Sequence, residues 1–107
     1  MVYLILEREF EAPLPEEQHD GEAARLDPCL TAHDVRWLRT YVSLDRKRML
    51  CEFEAADAEA VRGAFRGAGV TFMRVWAAEQ YAPGGGAHGG WQERRQARGA
   101  TAGDGSR

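Results

Sequence analysis

The chain has 107 residues, which is one small domain, and 44% of them are hydrophobic, enough for a modest core. Its net charge of −3 is unevenly spread: residues 83–107 carry Arg94, Arg95, Arg98 and Arg107 against Glu93 and Asp104, which leaves −5 on residues 1–82. An acidic body argues against nucleic acid as a partner, no apolar run nears the roughly 18 residues of a membrane span, and two cysteines are too few for a disulfide framework, so a reducing cytoplasm is expected.

The first element is a strand over residues 3–10, where Tyr3-Leu4-Ile5-Leu6 gives a β-rich run. Pro13 and Pro15 end it, since proline supplies no ladder donor. Between Glu16 and His33 a helical pattern follows, with Leu26, Cys29, Leu30 and His33 on one face. Gly21 and Pro28 interrupt it, and Asp27 before Pro28 reads as a cap with a first-turn proline, so the region reads either as one interrupted helix or as two short ones.

A hairpin comes next, with strands over 35–42 and 49–54. Asp57 is placed to cap a second helix, Val61, Ala64, Phe65 and Ala68 form its apolar stripe, and Gly69 supplies a left-handed stop. A last strand spans 70–77. The chain therefore reads β-α-β-β-α-β, an α+β ferredoxin-like sandwich with a four-stranded antiparallel sheet and helices on one face, over residues 1–82. Residues 83–107 hold eight glycines and almost no aliphatic side chain, the composition of a disordered, Gly/Arg-rich tail.

Strand alternation assigns the faces. Leu4, Leu6, Leu38, Met49, Cys51, Phe53, Met73 and Val75 are expected under the helices. Tyr3, Ile5, Glu7, Trp37, Arg39, Tyr41, Leu50, Glu52, Glu54, Phe72, Arg74 and Trp76 then fall on the opposite face. That face is too aromatic to be only wet, and it predicts a sheet-to-sheet homodimer with twofold symmetry. Its polar members with the nearby aromatics, Glu7, Trp37, Arg39, Tyr41, Glu52, Arg74 and Trp76, are the candidate ligand pocket between the sheets.

Several blocks together suggest a family: Glu7-Arg8, Val35-Arg36-Trp37, Tyr41-Val42-Ser43 with Asp45, Cys51-Glu52-Phe53-Glu54-Ala55 and Asp57-Ala58-Glu59-Ala60-Val61. Over residues 2–80 the chain resembles small ferredoxin-like proteins long classed as a domain of unknown function, whose characterised relatives are described as nickel-binding. The resemblance implies a ferredoxin-like fold, dimers and nickel binding, and it implies no catalytic residue.

The donors for a divalent transition metal are few. There is no CxxC or HxxxH spacing, and His19, His33 and His88 all lie outside the expected strands. Cys29 and His33 are four apart on one helical face above Cys51 on the underlying strand, and these three form the candidate metal set. Serine is confined to Ser43 and Ser106 and no phosphate-binding loop is present, so a serine nucleophile and a nucleotide site are disfavoured. Two functions are carried forward: a non-enzymatic dimeric nickel-type metal-binding protein, and a small-molecule-binding or cofactor-free enzyme of the dimeric α+β barrel type. In the second, Glu7 or Glu52 would act as base.

Overall fold

A computed structural model describes residues 1–83. The elements run β1 (Val2–Glu9), α1 (Glu16–Ala32), β2 (Arg36–Val42), β3 (Arg48–Ala55), α2 (Ala58–Ala68) and β4 (Arg74–Ala78). The sheet order is β2-β3-β1-β4 and every pairing is antiparallel. The glycine-rich tail expected from composition lies, from residue 84 on, outside the described residues. No helix among the described residues is long and apolar enough to cross a membrane.

Both helices cover one face of the sheet because the sequence gives that face its apolar side chains. Leu4 and Leu6 of β1 and Phe53 of β3 are at most 1% exposed, and they meet Val61, Ala64 and Phe65 of α2 in one cluster. Phe65 stands edge-on to both Phe53 and Phe72, with ring centroids 5.8 Å apart in each pair, the favoured geometry for aromatic quadrupoles. α2 begins as expected: Asp57 accepts a hydrogen bond from the Ala60 amide, which satisfies an otherwise orphan donor. It ends at Gly69, whose φ of 69° only glycine adopts without strain.

α1 decides between the two readings of its segment. It is one helix of 17 residues with Pro28 inside it, not two short helices. Pro28 removes one backbone donor, and the helix survives because Leu26 and Leu30 on either side are buried in the core.

β2 and β4 depart from expectation. The register of β2 shifts between Trp37, opposite Phe53, and Arg39, opposite Glu52, leaving Leu38 without a ladder partner. This bulge carries Trp37 to the helix-covered side, where its ring lies 6.3 Å from that of Phe53; strict alternation would have put it on the open side. β4 starts at Arg74, so residues 70–73 lie outside it. Phe72, expected on the open face, packs toward Phe65, and Met73, expected under the helices, is exposed.

Candidate functional site

The open face of the sheet has three cross-strand rows. Arg36, Glu54, Tyr3 and Ala78 form one, Arg39, Glu52, Ile5 and Trp76 the next, and Tyr41, Leu50, Glu7 and Arg74 the third. Six of the seven candidate pocket residues therefore share this face: Glu7, Arg39, Tyr41, Glu52, Arg74 and Trp76. Trp37 does not, for the reason given above.

The charges of these three rows are paired within the protomer. Glu7 accepts from Trp76 Nε1 at 2.7 Å and from Arg74 Nη1 at 3.2 Å. Arg39 Nε lies 3.2 Å from Glu52 Oε1, and Arg36 lies 3.4 Å from Glu54. The Arg39–Glu52 contact is an ion pair without hydrogen-bond alignment, since Glu52 Oε1 is buried and makes no hydrogen bond.

Long side chains also shield the middle of the face. Tyr3 and Ile5 are only 8% and 7% exposed, while Tyr41 and Trp76 stand out at 54% and 44%. The Tyr3 phenol is pushed above its ordinary value by burial and by the neighbouring Glu52 carboxylate. Gln80 donates to its oxygen at 3.1 Å. Toward one end of the face lies a depression of about 240 Å³, whose walls include Glu7, Glu9, Tyr41, Arg48 and Leu50. Glu9 and Arg48 were not singled out by sequence, although their alternation places them on this face.

The candidate metal set behaves differently. His33 caps the end of α1, and its Nδ1 donates to the Cys29 carbonyl at 3.0 Å. Its ring rests on Gly63 of α2, where an added Cβ would stand 2.9 Å from His33 Nε2. Cys29 faces Gly67, one turn further along the same helix. Cys51 is buried in the sheet and is held by a chain of donors: Trp37 Nε1 to Thr40 Oγ1 at 2.8 Å, then that hydroxyl to Cys51 Sγ at 3.3 Å. Burial pushes its thiol above the usual range and keeps it protonated. Cys29 and His33 thus line the contact between helices while Cys51 lies in the β-layer.

The feature that sequence reasoning missed is a buried ion pair. Arg8 of β1 reaches Glu22 of α1 through Nη1–Oε1 at 2.8 Å and Nη2–Oε2 at 3.1 Å, and its guanidinium sits 4.9 Å from the Phe10 ring centroid. A signal for it existed. Leu4, Leu6 and Arg8 alternate onto the helix side, and Glu22, Leu26 and Leu30 recur every four residues along α1.

An antiparallel β2-β3-β1-β4 sheet in β-α-β-β-α-β order, with both helices on one side, defines a ferredoxin-like α+β protein. Within that class the chain belongs to the family described as Nickel responsive protein SCO4226-like, whose model matches residues 3–77. The crystal structure of SCO4226 from Streptomyces coelicolor A3(2) is similar at a TM-score of 0.67 and 14% identity, covering 75% of this chain and 99% of that one. At that identity the likeness shows the fold. No curated protein matches the chain.

The donors among the described residues do not come together as a nickel centre within one protomer. Among the described residues no group of three or more His, Cys, Asp or Glu side chains is placed to hold a metal ion. His33, at the end of α1, and Cys51, in β3, lie on different layers of the fold, and each already has a hydrogen-bond partner.

Proposed function

We propose that this chain is a small, non-enzymatic cytoplasmic protein of the nickel response, working as a twofold homodimer joined through its open sheet faces. The observation that carries the reading is the family match over residues 3–77. Support for the dimer comes from the face itself, where Tyr41 and Trp76 expose large aromatic surfaces. Glu7, Arg39, Glu52 and Arg74 are already paired inside the protomer, so a second sheet would cover them without stranding a charge. The reading does not rest on Cys29, His33 and Cys51 acting as one ligand set. Isothermal calorimetry on tag-free protein tests it: micromolar uptake of nickel or another divalent transition metal is expected, and no uptake of nickel, zinc or copper overturns it.

The depression beside Glu7 and Tyr41 favours a second reading, a dimer that binds a small polar molecule or acts on it without a cofactor. Here Glu7→Ala or Arg39→Ala would weaken binding of a small acid or aromatic while the dimer persists. Loss of the dimer together with binding would count against this version.

A further inference from the structure

Among the side chains of the first half of α1, one is ion-paired to the body, while His19 and Ala23 are half-buried against it. Of residues 16–24 only Glu22 is buried, and its partner is Arg8. Glu22's other contact, from Gln18 Nε2 at 3.4 Å, is within the same helix and anchors nothing. The segment is bracketed by firm attachments. Before it, Leu14 is 2% exposed and exchanges hydrogen bonds with Arg46, amide to carbonyl at 2.9 Å and Arg46 Nε to the Leu14 carbonyl at 2.7 Å. After it, Arg25 Nε donates to the Ala68 carbonyl of α2 at 3.1 Å, and Leu26 enters the core.

The segment has little helical stability of its own. Its N-cap, Pro15, makes no side-chain hydrogen bond. Gly21 sits in its middle with open space around its Cβ direction, so it contributes backbone freedom and no packing.

Beneath it lies a small enclosed space, with His19, Glu22 and Ala23 above and Arg8, Met49 and Cys51 among the groups below. About 10 Å³ is open there, room for about one water and for no organic ligand while the helix is docked. Arg8 Nε is buried beside this space and makes no hydrogen bond. Within the protein the docked state gives this donor no partner, and lifting the segment would open the guanidinium to bulk solvent.

We propose that residues 16–24 form a lid latched by Arg8 and Glu22, and that its opening uncovers the Cys51 thiol while the rest of the core stays folded. The docked thiol is shielded and inert; the open state makes it a site for soft electrophiles.

The test is native-state hydrogen exchange on the full chain, combined with iodoacetamide labelling of Cys51 located by mass spectrometry. Amides of 20–24 should exchange through an opening insensitive to low urea, at least tenfold faster than those of 29–32, whose i−4 carbonyls lie outside the segment. Glu22→Gln should accelerate both that exchange and Cys51 labelling at least tenfold. Val61→Ala, a core truncation in α2, should accelerate labelling far less at a comparable fall in urea midpoint. If Glu22→Gln does not fold, the wild-type exchange pattern alone decides. The proposal is overturned if Cys51 labels only at the rate of global unfolding, if 20–24 and 29–32 exchange together, or if the two variants act alike.

Discussion

Arg8 and Glu22 form a two-pronged ion pair inside the protein, with side chains only 4% and 9% exposed. Such a pair stabilises little relative to a well-packed apolar pair, yet removing one partner strands a buried charge. Arg8→Met should therefore cost about 3–5 kcal/mol, and Arg8→Met with Glu22→Leu should recover much of that loss. Urea denaturation of the single and double variants measures both.

The same pair sets a pH dependence. Hydrogen bonds from Arg8 hold the Glu22 carboxyl below its ordinary value against the opposing effect of burial, with Gln18 and Arg25 adding smaller effects in the same direction. A lowered native pKa means the stabilisation is fully present above the unfolded value, about 4.3, and is lost as pH falls through the native one. Urea midpoints followed from pH 7 downward should show this loss below about pH 4 in wild type, and Glu22→Gln should lack that component.

Asp57 is the side-chain cap of α2, accepting from the Ala60 amide at 3.0 Å. Asp57→Ala should lower stability by about 1 kcal/mol, and Asp57→Asn by less, as read from thermal or urea unfolding.

The two glycines under α1 should respond oppositely to alanine. At Gly67 a Cβ would meet Cys29 Sγ at 3.5 Å, an ordinary contact, so Gly67→Ala should stabilise by up to about 1 kcal/mol through helix propensity. At Gly63 the same change pushes the His33 ring from its place and breaks its bond to the Cys29 carbonyl, which offsets the gain. Gly63→Ala should become clearly stabilising once His33→Ala has removed the ring, and a double-mutant cycle reads that coupling.

Much of this architecture is legible in the chain because its signals are local. The Asp57 cap, the Val61–Phe65–Ala68 stripe and the Gly69 stop fix α2 without reference to anything distant. Trp37 was misplaced because a bulge at Leu38 is set by how β2 docks on β3, and alternation alone carries no sign of it. Phe72 was misplaced because β4 starts at Arg74, four residues after the expected start, leaving Phe72 free to turn toward Phe65. Cys29 and His33 do share a helical face, as their spacing says, but what that face meets is Gly63 and Gly67, which only the tertiary packing reveals. Arg8 was passed over because an arginine in an apolar alternation looks like a surface residue until its partner on α1 is seen.

The most direct test of the functional account is native mass spectrometry of the full, tag-free chain purified with and without added nickel. The account predicts a species at twice the 11.9 kDa protomer mass that retains nickel when it is supplied. A species at the protomer mass that carries no metal under the same conditions would contradict it.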